Sequence, residues 1–231
     1  MIQSKSENEM KENQSKIELK SLNQECYERI KQEILMGHMD WGQRIDIIQI
    51  ASNYGISRSP VVKAVDRLSM EGFIDILPNK GSFVARPSLQ RINEVTEIRL
   101  MLETYSLKLS MKKERKELLQ ELRENQKLVA EEENKFEDFL LYDRNFHLVI
   151  ARHTNNSRLL ELFENTRNQV EFFRIHTFIP AQVRLAIRRH TEIIEAITDN
   201  NQERGIEMLE IHLKEVYNDS INSFHSETGK T

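Results

Sequence analysis

Asp143 and His147 stand four residues apart in YDRNFHLVIARHTNN, a run with helical periodicity. At that spacing the Cβ atoms are neighbours, so a carboxylate and an imidazole can converge on one point. The other residues of that face, Leu140, Phe146 and Ile150, are apolar. Burying two polar groups among them is costly without a partner. Two later histidines share the setting. His190 stands among Ala186, Ile187, Ile193, Ile194 and Ile197, and His212 among Met208, Leu209 and Val216. Each sits on the apolar stripe of its helix and should point inward. One carboxylate and three imidazoles is a metal-site composition. Imidazole suits Zn, Ni, Cu or Fe, and the carboxylate keeps Mn in range. Zn or Ni is the first expectation. Each histidine alone also fits an ordinary core position, and spacing does not show that three separate helices converge. Such a cluster could equally serve a metal-dependent hydrolase or oxidase, although no general base stands beside the ligands.

These residues need elements to position them. The chain has 231 residues, 30% of them charged, and only 7 Gly and 4 Pro. That composition predicts a mainly α protein with few tight turns. From about residue 90 six helical segments follow, near 91–111, 114–133, 136–153, 156–179, 181–199 and 202–224. Arg99 borders the stripe Val95, Ile98, Leu102, Tyr105 and reads from pattern as a surface arginine paired with Glu103 at i+4. Residues 1–18 are polar and without periodicity, which predicts a disordered tail. The remaining boundaries predict one domain over 19–87 and an all-helical one over 88–231. One cysteine, Cys26, allows no internal disulfide, and a reducing cytoplasm is the simple expectation. No apolar run approaches the roughly 20 residues of a membrane span, and the polar N-terminus lacks the apolar core of a signal peptide.

The first part carries a different chemistry. DIIQIASNYGIS predicts a short helix with Asp46 as N-cap and Gly55 as its end. SRSPVVKAVDRLSMEG predicts a second, capped by Ser57, with Pro60 in its first turn. Strand-like FIDIL and SFVAR flank PNKG, a hairpin turn, and DWGQRI reads as a turn. With the helix over LNQECYERIKQEILMG, this is a winged helix-turn-helix, whose second helix can enter a major groove of double-stranded DNA. Arg58 is placed for a base contact, and Ser57 and Ser59 for phosphate. Lys63 and Arg67 are further candidates, and Lys80 and Gly81 form the wing tip. Residues 21–87 hold eight Lys plus Arg and eight Asp plus Glu, so net charge adds nothing to this reading.

GISRSPVVKAVDRLSMEGFIDILPNKGSFVARP resembles the DNA-binding domain of the GntR family of bacterial transcription regulators. By that resemblance Arg58 reads a base and Gly81 lies at the wing tip. Two departures stand out: Ile48 and Val62 occupy places where the family commonly has arginine. The helical part is similar to the FCD effector domain of the FadR subfamily, through EIRLMLE, DRNFH, RHTEIIEAI and MLEIHL. The resemblance implies Asp143, His147, His190 and His212 as metal ligands, with Arg99 facing the effector cavity. The acyl-CoA-binding branch lacks this metal site, and six helices point to the VanR-like branch. The implied function is a homodimeric, ligand-responsive regulator, a repressor on a palindromic operator, released by a small organic acid or sugar acid.

Overall fold

The computed structural model describes residues 22–129, 136–174 and 180–228. The expected N-terminal tail, the side chain of Leu140 and the ends of two predicted helices lie outside them. The chain divides into two compact units, residues 1–86 and 87–231.

Among the described residues the first unit begins with helix α1, residues 22–35. Strand β1 (Arg44–Ile45), helices α2 (Ile47–Tyr54) and α3 (Arg58–Met70), and strands β2 (Ile74–Leu77) and β3 (Gly81–Val84) follow. Asp46 caps α2 by accepting from the amides of Ile48 and Gln49, and Gly55 ends it at φ 64°, a left-handed conformation that glycine adopts freely. Ser57 occupies the N-cap of α3, but its side chain makes no capping bond. The expected cap is therefore positional only. The sheet order is β1-β3-β2, antiparallel throughout. Arg44 faces Phe83 and Ile45 faces Ser82, so the expected turn over residues 40–45 supplies a short third strand. Ile30, Ile34, Val61, Val65, Leu68, Phe73, Ile74 and Val84 are buried and form the core.

The second unit is helical. Helix α4 (Leu89–Gln126) holds one non-helical residue, Glu114 at φ −142° and ψ 39°. That break splits it into the first two predicted segments. A 3-10 turn (Lys127–Val129) precedes α5 (Phe136–Arg152), α6 (Ser157–Arg174), α7 (Pro180–Thr198) and α8 (Gln202–Thr228). Pro180 begins α7, where its missing N–H costs nothing. The residues flanking the break bind neighbouring helix ends. Lys113 Nζ donates to the Thr154 carbonyl at 2.8 Å, and Arg115 Nη1 to those of Ile197 and Thr198 at 3.3 Å. His153 lies between Glu114 and Glu121, each ring nitrogen 2.8 Å from a carboxylate oxygen. The core joins Leu107, Leu118 and Leu122 of α4, Phe146 and Ile150 of α5, Ile193 and Ile197 of α7, and Leu209 and Leu213 of α8. Truncating a buried phenylalanine such as Phe146 to alanine costs about 3–5 kcal/mol.

Candidate metal centre

Helix α5 presents Asp143 and His147 one turn apart on its buried face. Helix α7 contributes His190, and α8 contributes His212. All four side chains are buried, at no more than 1% exposure. His212 Nε2 lies 3.2 Å from Nε2 of both His190 and His147. Asp143 Oδ1 lies 3.7 Å from His190 Nε2 and 3.9 Å from His147 Nε2. Donors bound to one ion at about 2.0–2.2 Å stand roughly 3–3.6 Å apart; the four donors here all lie within 4.8 Å of one another, so an ion would draw them together. Asp143 Oδ1 has no hydrogen-bond partner among the described residues. An unsatisfied buried acceptor costs about 1–3 kcal/mol, more when charged; a cation at the centre removes that cost. The donor set therefore fits a divalent ion.

Protonation agrees with ligation. Burial, with the neighbouring imidazole charge added to it, pushes His190 and His212 well below the usual imidazole range. Burial also lowers His147, against the opposing pull of Glu103. Neutral imidazole is the form that binds metal. For Asp143, burial opposes ionisation, but the guanidiniums of Arg167 and Arg174 outweigh it and hold the carboxyl well below its ordinary value. His190 stacks on Phe146 at 3.7 Å between ring centres and 5° between planes, which fixes its orientation.

Supporting residues surround the four. His147 Nδ1 lies 2.5 Å from Glu103 Oε2, and Glu103 Oε1 accepts from Arg99 Nε at 2.5 Å. Arg99 Nη2 stands 3.5 Å from His147 Nε2. Arg99 is thus paired with Glu103, as the pattern suggests, yet buried and not at the surface. Arg167 donates to Asp143 Oδ2, and Arg174 Nη1 lies 3.3 Å from the same oxygen. Arg167 Nη1 has no partner among the described residues. A buried cationic donor left open beside an open carboxylate oxygen suits a site that holds a cation and an anion together.

In the first unit Ser57, Arg58 and Ser59 are exposed at the start of α3, with Lys63 exposed on the next turn. Lys80 is exposed in the turn before β3, and Gly81 begins that strand at φ 113°. Arg67 is engaged differently. Its guanidinium lies 3.6 Å over the Tyr27 ring and bonds Glu71 and Gln24. Lys31 Nζ donates to Tyr27 at 2.7 Å and to Glu71 at 3.0 Å beneath it. Arg67 therefore has a packing role between α1 and α3 that pattern alone does not reveal.

Two family matches cover these same regions. Bacterial regulatory proteins of the gntR family match residues 22–84, and the FCD domain matches residues 94–215. The chain belongs to the GntR family. It carries an FCD domain and matches the FadR-like subfamily. Both families consist of transcriptional regulators, so the GntR assignment removes the hydrolase or oxidase alternative. An uncharacterized HTH-type regulator of Bacillus subtilis, YdhC, is 26% identical over 184 residues, covering 77% of this chain and 81% of that one. The gluconate operon repressor of the same species is 26% identical over 180 residues, covering 75% and 70%. The solved structure of Escherichia coli McbR/YncC superposes with a TM-score of 0.72 at 21% identity, over 90% of this chain and 98% of that one, which bears on the fold. Among the described residues of this GntR regulator, no helix is long and apolar enough to cross a membrane.

Arg167 and Arg174 escape a reading by pattern, as does the contact of Glu103 with His147. A signal for the two arginines exists: both fall on the stripe Leu159, Phe163, Val170 of α6. Charged residues at apolar-stripe positions are buried with a partner or not at all.

Proposed function

We propose that this regulator represses transcription as a homodimer on a palindromic operator and releases it when a small organic acid binds beside a metal. The observation that carries this reading is the buried convergence of Asp143 Oδ1 with three imidazole nitrogens, next to an Arg167 nitrogen that has no partner among the described residues. Asp143, His147, His190 and His212 would hold the ion, Zn or Ni first, with Mn or Fe as alternatives. Bound there, the ion supplies a Lewis-acid anchor for an oxygen of the acid. Three guanidiniums, of Arg99, Arg167 and Arg174, gather around the carboxylates of Asp143, Glu103 and Glu171. A divalent ion adds positive charge to that group, and an anion is the ligand that restores balance. Arg99 can take a carboxylate in bidentate fashion. A gluconate repressor among the relatives makes sugar acids a natural first panel.

On the DNA side, the exposed start of α3 supplies Ser57, Arg58, Ser59 and Lys63, and the wing supplies Lys80 and Gly81. Arg67 is left out because it already binds Tyr27, Glu71 and Gln24. One such unit offers few contacts, and two copies related by a two-fold axis double them.

An acid changes DNA affinity only if it binds the two states of the dimer unequally. Couplings of about 1–3 kcal/mol, roughly 5- to 150-fold, are typical. Hydroxy-carboxylates and sugar acids are titrated by calorimetry and, in parallel, by gel shift on DNA from upstream of the gene. At least one should weaken binding by a factor in that range, and Arg99→Ala should keep metal and DNA affinity but lose the response. A variant that responds as the wild type does would leave Arg99 a structural arginine. Sedimentation showing a monomer tightly bound to one half-site would remove the dimer.

A further inference from the structure

Val62 has no structural reason to be a valine. Its neighbours on α3, Val61, Ala64, Val65 and Leu68, fill the core at 0–1% exposure, whereas Val62 is 40% exposed. It lies one turn after Arg58 and one turn before Asp66, and all three are exposed. Residues four apart on a helix form one row, so Arg58, Val62 and Asp66 line a single outward edge. Among the described residues no ion pair holds Arg58 or Asp66. The neighbouring flank is closed, because Arg67 is bound over Tyr27.

The row has a definite chemistry. A guanidinium offers paired donors, a valine offers two methyl groups, and a carboxylate accepts and repels phosphate. An edge bearing Asp66 is unsuited to the DNA backbone and suited to base edges. In the major groove one base edge carries an apolar group, the C5 methyl of thymine. We infer that Val62 reads a thymine methyl group in each half-site, next to the base pair contacted by Arg58. This assignment rests on the proposed placement of α3 in the major groove. It adds that a valine on this edge does not merely weaken a contact surface but selects a different base.

The test uses the full-length protein as purified and duplexes that it enriches from a random-sequence pool. Each thymine of the enriched site is replaced singly by uracil, which removes only the methyl. One thymine per half-site should lose about four-fold in affinity, the size expected for one buried carbon group. Val62→Ala should bind the thymine and uracil duplexes equally, and its melting temperature should match the wild type because the side chain is exposed. A flat uracil scan overturns the assignment, as does a Val62→Ala protein that keeps the same thymine sensitivity. Failure of the wild type to enrich any duplex would instead remove the placement of α3 in the groove, and Val62's role with it.

Discussion

His147 and Arg99 meet on one carboxylate: Glu103 Oε2 lies 2.5 Å from the imidazole Nδ1, and Oε1 takes the guanidinium Nε at 2.5 Å. Glu103 therefore faces the Nδ1 side of His147, with Nε2 turned to the other donors, and also aims Arg99. Burial opposes the charge on Glu103, but Arg99 and His147 outweigh it and keep the carboxyl well below its usual range. Glu103→Gln should weaken metal binding about 10–100-fold, as is typical when such a supporting carboxylate is lost. Competition with a chromophoric chelator measures this, and an unchanged dissociation constant would show that His147 needs no such support.

Metal content should separate the histidines. Purified protein is expected to hold close to one divalent ion per chain, and chelation should lower the melting temperature, since an ion bound only to the folded state stabilises it. His190→Ala and His212→Ala should lose the ion. His153→Ala should keep it, because its ring is occupied by Glu114 and Glu121. Elemental analysis of the three variants decides this; full occupancy in either of the first two strikes that residue from the ligand set.

Acid should destabilise the metal-free protein early. The folded-state values of His147, His190 and His212 are all depressed. Below about pH 6.5 the unfolded chain takes up protons at these positions and the folded chain does not. Their contribution is present above that pH and is lost as pH falls, with a limiting slope of about 1.4 kcal/mol per pH unit for each imidazole. Urea midpoints at pH 7.5 and 5.5, taken with chelator present, should differ clearly. Equal midpoints would mean that these imidazoles are accessible to protons in the folded state.

Gly205 is a helical glycine that the packing does not require. A Cβ placed there meets Leu107 Cδ2 at 3.5 Å and Ala196 Cβ at 3.7 Å, ordinary contacts, and its φ is not in the left-handed region. Gly205→Ala should stabilise the protein by about 0.5–1 kcal/mol, through helix propensity and a less flexible unfolded chain. A lowered unfolding midpoint would show that α8 sits too close to α4 and α7 to accept a methyl group.

The DNA contacts divide by type. Arg58→Ala should lose about 1–3 kcal/mol of discrimination at one base pair, as for a direct base contact. Lys80→Ala should weaken all sequences alike and reduce the salt slope by about 1. Binding curves at two salt concentrations on matched and mismatched duplexes separate the two behaviours. An Arg58→Ala protein with unchanged preferences would reassign Arg58 to the backbone.

Much of this was legible from periodicity. Asp143 and His147 declare a shared point by their spacing, and His190 and His212 declare burial by their apolar neighbours. Their convergence is a property of how α5, α7 and α8 pack, and no local pattern encodes it. Arg99 and Glu103 look like a solvent-facing i+4 pair, because a short pattern cannot tell an outer pair from a buried one. Arg67 resembles a free basic residue on a recognition helix until Tyr27 and Glu71, distant in sequence, are brought beneath it. Strand β1 is two residues long, and only its register against Phe83 and Ser82 defines it.

The sealing of the centre has a kinetic consequence. With all four donors at 1% exposure or less, an ion reaches or leaves them only when the surrounding helices part. Exchange of a bound ion would then wait on local opening of the bundle before any donor could release it. An ion taken up while the chain folds would be held through brief swings in the surrounding metal pool. An occupant of the centre would thus record the conditions under which the molecule was made, and isotope exchange on the purified protein would run no faster than that opening.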